Sequence, residues 1–107
     1  MTQEERKLLE KAYRMVELLV KHPQPTWTSY FRDVLYKLKN DQFHKGAKKI
    51  LGAYGGMGSF NECDLTGAGE EEYQEFLNLK NSMYTLAKVV KSQNSWLGWL
   101  LQRKMSG

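Results

Sequence analysis

Trp27-Thr28-Ser29-Tyr30-Phe31-Arg32-Asp33-Val34-Leu35-Tyr36-Lys37-Leu38 decides the fold. Its apolar residues Trp27, Tyr30, Phe31, Val34, Leu35 and Leu38 recur at helical intervals, which lays them in one unbroken stripe along a helix and on neither single face of a strand. The flanks bound the element. Upstream, His22-Pro23-Gln24-Pro25 stops a preceding helix, because proline has no amide hydrogen to donate and disfavours helix in the residue before it. The stripe therefore begins near Pro25 or Thr26 and runs to about Lys39. Downstream, Asn40-Asp41 breaks the chain, and Asp41 is placed to cap a third helix.

The same period extends in both directions. Residues 3–21 set Leu8, Leu9, Ala12, Met15, Val16 and Leu19 on one face, and Thr2 with Glu5 forms the pattern of a capping box. The third helix buries Phe43, Ala47, Ile50, Leu51 and Tyr54 and turns Lys45, Lys48 and Lys49 outward, with Gly52 and Gly55 able to end it. Residues 55–69 form a long irregular stretch. A fourth helix over about 70–91 opens on Glu70, Glu71 and Glu72, which suit the positive end of a helix dipole, and buries Tyr73, Phe76, Leu77, Met83, Tyr84, Ala87 and Val90. A short fifth helix carries Trp96, Leu97, Trp99, Leu100 and Leu101. The expected fold is all-α: a single domain over residues 1–107, built as a bundle of four main helices with a short C-terminal helix across one end.

Composition narrows the class further. A chain of 107 residues holds one core but not a deep, separate cleft, and 41% apolar with 26% charged residues suits a globule rather than a disordered tail. The single cysteine, Cys63, excludes an internal disulfide. Met1-Thr2-Gln3-Glu4-Glu5 has no apolar run behind it, and no stretch approaches a membrane span, so a cytoplasmic protein without membrane association is expected. The net charge of +4 is unevenly spread. Residues 50–79 contain no Lys or Arg and hold Glu62, Asp64, Glu70, Glu71, Glu72 and Glu75, six of the twelve acids, leaving the rest of the chain strongly basic.

No catalytic constellation emerges, and no enzyme activity, metal or other cofactor is expected. Gly52, Gly55, Gly56 and Gly58 lack the Lys-Ser/Thr of a phosphate loop and follow a helix where a dinucleotide fingerprint follows a strand. They are expected to let the backbone turn while Met57 and Phe60 tuck into the bundle. His22 and His44 have no ligand at metal spacing, and His44 is expected on an exposed lysine-rich face. Cys63 sits between Glu62 and Asp64, whose charges raise a thiol pKa rather than activate it. The acids lack the alternation of a calcium loop, so they read as a solvated helix start or as a docking surface for a basic partner. Lys37, Lys39, Lys45, Lys48 and Lys49 would be the matching patch for nucleic acid, without the arginine or aromatic interleaving that base readout uses. Trp96 and Trp99 read as core closure before interface anchor.

The run Ile50-Leu51-Gly52-Ala53-Tyr54-Gly55-Gly56-Met57-Gly58-Ser59-Phe60-Asn61-Glu62 resembles a family of small bacterial helical proteins with a Gly-Gly-Met-Gly-Ser-aliphatic-Asn-Asp signature. Phe60 stands where an aliphatic residue is usual and Glu62 where Asp is commoner; the resemblance extends over roughly residues 8–87, with the loop its specific part. Members are associated with immunity proteins of polymorphic toxin systems, including contact-dependent growth inhibition. The resemblance implies an inhibitor that covers the active site or substrate groove of a cognate toxin, a nuclease. The anionic segment, Glu62, Asp64, Glu70, Glu71, Glu72 and Glu75, is the expected partner-binding surface. Gly55, Gly56, Met57, Gly58, Ser59 and Asn61 form the expected structural loop. Neither specific nucleic-acid binding nor a small-molecule substrate is expected; the alternative reading is a small basic nucleic-acid-binding bundle.

Overall fold

In the computed structural model, which describes residues 1–55 and 57–93, α1 (Gln3–Lys21) begins at the anticipated capping box. Thr2 Oγ1 accepts from the Glu5 amide at 3.1 Å, and the Glu5 carboxylate accepts from the Thr2 amide at 2.7 Å. Leu8, Ala12, Met15, Leu18 and Leu19 are fully buried, with Leu9 and Val16 at the edge of that stripe. Pro25 opens α2 (Pro25–Lys39), and the Thr28 hydroxyl ties its first turn to the Leu19 carbonyl at 3.0 Å. Phe31, Val34 and Leu38 carry its buried face.

Asp41 does not cap the next helix. It takes a φ of 60° at the end of α2, where the Asp41 amide donates to the Leu38 carbonyl and the Gln42 amide to the Lys37 carbonyl. That is the left-handed helix stop usually given to glycine or asparagine, and it uses the last carbonyls of α2 instead of the first amides of α3. α3 (Phe43–Gly52) starts after Gln42 without a side-chain cap. It lies so close to α2 that a Cβ on Gly46 would stand 2.5 Å from Leu38 Cδ2. Leu51 and Tyr54 are half-buried, and Tyr54 lies beyond the end of the helix.

α4 (Glu70–Gln93) closes a ring in which each helix packs on the next and α4 returns to α1. Contacts between residues 14 and 75, 21 and 72, and 2 and 93 show that α1 and α4 run antiparallel. One core joins all four helices, the all-α bundle that the periodicity predicts. None of the described helices is long and apolar enough to cross a membrane. The expected fifth helix, with Trp96 and Trp99, and Gly56 lie outside the described residues.

α3 has 10 residues against 24 in α4, so it stops well before α4's first half is covered. Residues 53–69 take its place. The Phe60 amide donates to the Ala53 carbonyl at 2.9 Å, a 3-10 turn (Phe60–Glu62) follows, and Phe60 enters the core fully buried. Its ring meets those of Phe31 at 4.5 Å, Trp27 at 5.2 Å, and Tyr54 and Phe76 at 5.8 Å. Cys63 and Leu65 are buried behind it.

What holds this segment is a residue that sequence reading passed over. Lys80, on the inner face of α4, is 6% exposed. Its ammonium donates to the Cys63 carbonyl at 2.6 Å and the Asn61 carbonyl at 3.4 Å, and lies 4.6 Å from the Phe76 ring centre and 5.0 Å from that of Phe60. Burial pushes its pKa below the usual lysine range. The Tyr54 hydroxyl, its own pKa raised by burial, donates to the Lys80 carbonyl at 2.7 Å.

Removing the Lys80 ammonium leaves the buried Cys63 carbonyl without its donor. Lys80→Met, which keeps the apolar stem, should cost about 1–3 kcal/mol of unfolding free energy in urea titration; an unchanged or higher midpoint would show that the ammonium does not hold the segment. Gly46→Ala gains about 1 kcal/mol of helix propensity. It also forces a methyl into fully buried Leu38, at about 1–3 kcal/mol. The variant should therefore melt below the parent.

Candidate functional site

Successive residues of a helix start point in different directions, and this divides the acidic segment. Glu70 and Glu71 stand exposed at the head of α4 and line an open depression against α1 with Lys11, Gln74, Glu75 and Asn78. Glu72 turns toward α1, where it accepts from Lys21 Nζ at 2.8 Å and lies 2.9 Å from His22 Nε2. Glu75, one turn on, accepts two bonds from the Arg14 guanidinium, at 2.7 and 2.8 Å. Both carboxyls are held below the usual carboxylate range, Glu72 by its bonds to Lys21 and His22 and Glu75 by its bond to Arg14. These two acids brace the bundle.

The remaining acids lie on the segment beside α4. The Glu62 carboxylate accepts from the Gly58 amide at 2.6 Å. Asp64 accepts from the Tyr73 hydroxyl at 3.2 Å, and that bond raises the tyrosine pKa. Because the segment runs against the direction of α4, the acids are strung along the helix instead of gathered. Asp64 meets Tyr73, the carbonyls of Asn61 and Cys63 meet Lys80, and Gly55 shares a groove with Tyr84. At 1.5 Å per residue, Glu70 and Tyr84 are about 20 Å apart.

The basic patch is also partly committed. Lys37 and Lys49 both donate to Asp33, which holds that carboxyl low, and Lys49 also lies 4.6 Å over the Tyr30 ring. Lys49 is thus half-buried against α2 and not turned outward. Lys39 lies over the Tyr13 ring, while Lys45 and Lys48 are exposed.

In the glycine-rich loop, Gly55 and Gly58 adopt φ of 103° and 74°, a region that a Cβ disfavours. Ser59 is buried and its hydroxyl accepts from the Asn61 amide at 3.2 Å, capping the 3-10 turn. Asn61 itself is exposed. Phe60 tucks into the bundle, but Met57 does not: it is 95% exposed.

Cys63 is buried, and desolvation is the main cause of its raised pKa, with Asp64 adding to it and Lys80 opposing. Of the two flanking acids, Asp64 raises that pKa as expected, as the smaller contribution. His44 is half-buried, and its Nδ1 is buried without a hydrogen-bond partner among the described residues. No group of three His, Cys, Asp or Glu side chains among the described residues is arranged to hold a metal.

Folded carboxyls held below their unfolded values contribute stability above about pH 4, and that contribution disappears as the pH falls through the lower folded values. Arg14→Gln should therefore be less stable than the parent at pH 6, and the gap should close as the pH falls below the ordinary carboxylate range and Glu75 is protonated in the parent. A gap independent of pH would assign Arg14 a packing role alone.

No curated protein and no solved structure matches the chain. A family described as a domain of unknown function, DUF6966, matches residues 20–66, which run from the end of α1 through α2, α3 and the glycine-rich loop to just past Leu65.

Proposed function

We propose that this chain is an immunity protein: a cytoplasmic binder without enzymatic activity that neutralises a cognate bacterial toxin, a nuclease, by covering its active site or substrate groove. The observation that carries the reading is at the head of α4. Glu70 and Glu71 stand exposed there and form no ion pair among the described residues, while Glu72 and Glu75 beside them are held by α1. A nuclease attracts phosphate with basic groups, so carboxylates on a rigid helix end offer what such a site binds and speed the encounter. The resemblance of residues 50–62 to an immunity-protein signature points the same way.

The rival reading, a basic nucleic-acid-binding bundle, has a thinner footing. Asp33 engages two of the five candidate lysines and Tyr13 lies under a third, leaving Lys45 and Lys48. Two phosphate contacts supply little duplex affinity at physiological salt.

The reading requires a toxin gene beside this chain's gene; cells producing that toxin should survive only when this chain is present, and the purified pair should form a one-to-one complex. Reversing Glu70 and Glu71 together to Lys spares the α1 clamp. It should slow association about tenfold or more and flatten its dependence on ionic strength. Death despite the chain would overturn the immunity reading. Rates indifferent to both reversal and salt would move the interface away from α4's head, and sub-micromolar, sequence-dependent duplex binding would favour the rival.

A further inference from the structure

Met57 is an apolar side chain held out in water, 95% exposed, on a loop whose neighbouring backbone is tied down. The Gly58 amide is bound to Glu62, the Asn61 amide to Ser59, and the Phe60 amide to the Ala53 carbonyl. Gly55 and Gly58, on either side of Met57, take φ of 103° and 74°. Any polar residue would serve the fold as well at position 57. A methionine there is a flexible, polarisable side chain suited to an aromatic slot.

Such a slot lies beside it. Leu51, Tyr54, Gly55, Asn61, Tyr84 and Lys88 line an open groove of about 480 Å³ between the end of α3 and α4. Tyr54 and Tyr84 meet edge to face with ring centres 5.0 Å apart. The Tyr54 hydroxyl is engaged on the Lys80 carbonyl, so its ring presents carbon. Lys88 lies 4.6 Å over the Tyr84 ring at the α4 side.

We propose that a second copy of this chain occupies the groove: about a two-fold axis, Met57 of each molecule enters the Tyr54–Tyr84 groove of the other, and Glu62 of each faces Lys88 of the other. Gly55, two positions before Met57, lines the groove, so anchor and groove are neighbours along the chain. Each molecule therefore brings both halves of the contact, the self-complementarity that a two-fold interface requires. The charges match as well. The loop side carries Glu62 in a stretch without Lys or Arg, and the α4 side carries Lys88 and exposed Lys91. This association is separate from toxin binding at α4's head and stands or falls without it.

Sedimentation equilibrium of the full chain from about 5 to 500 µM should show the average mass rising from monomer toward dimer, the micromolar range expected of a small interface. Met57→Asp, at a fully solvated position, should fold as the parent does and associate at least tenfold more weakly. Tyr84→Asp should do the same from the groove side, and Lys88→Glu, whose side chain is exposed, replaces it if Tyr84→Asp unfolds. Mixing a Met57 variant with a groove variant restores one intact contact, so the mixture should associate more tightly than either alone. A parent that stays monomeric throughout, a Met57→Asp that associates like the parent, or a mixture no tighter than its parts would overturn the proposal.

Discussion

An ammonium group inside the protein lets an irregular chain do a helix's work. Beside the first half of α4 a regular α3 would have presented carbons and internally bonded carbonyls. Residues 53–69 instead bring backbone carbonyls to the core, and buried carbonyls need donors. Lys80 supplies them from the helix opposite, and its charge is offset by the faces of Phe60 and Phe76. The aromatic cluster around Phe60, the position of Tyr54 and the course of the segment along α4 all follow from that arrangement.

Two kinds of feature were legible in the sequence to different degrees. Helix positions were readable because burial of a helical face imposes a local period, and the capping box because its partners sit three residues apart. Lys80 escaped because a lysine is read as surface, yet it falls four positions after Phe76 and three before Met83, on the buried stripe itself. That register was the signal available. Asp41 is ambiguous in the sequence because aspartate serves both as an N-cap and as a left-handed stop. Met57 departs from the buried position its hydrophobicity suggests, because hydrophobicity alone does not say which way a turn with positive φ will point.

Charge patterning was legible as a total and misleading as a map. The acid-only stretch from 50 to 79 suggests one anionic surface, but long-range partners divide it. Arg14, Lys21 and His22, at the far end of the sequence, face Glu75 and Glu72, and Asp33 gathers two lysines from different helices. Exposed pairs of this kind add little stability singly, though they fix which way each helix face is turned. The surface charge left unpaired is the remainder after that internal pairing, which no one-dimensional charge count contains.

The closure of the ring by α1 and α4 bears on the order of assembly. The pairings α1 with α2 and α2 with α3 join neighbours in the chain, whereas Thr2 meets Gln93 across 91 positions and Arg14 meets Glu75 across 61. Contacts of such separation form late, after the entropy of the intervening chain has been reduced by local pairing. During synthesis the first three helices emerge before α4, and their apolar faces wait for it, with Phe60 lacking the lysine and the Phe76 ring that complete its surroundings. Both proposed docking faces, the head of α4 and the groove beside the glycine-rich loop, include α4. On either proposal a nascent chain has no binding face until its fold is closed, which would keep half-made molecules from competing with finished ones.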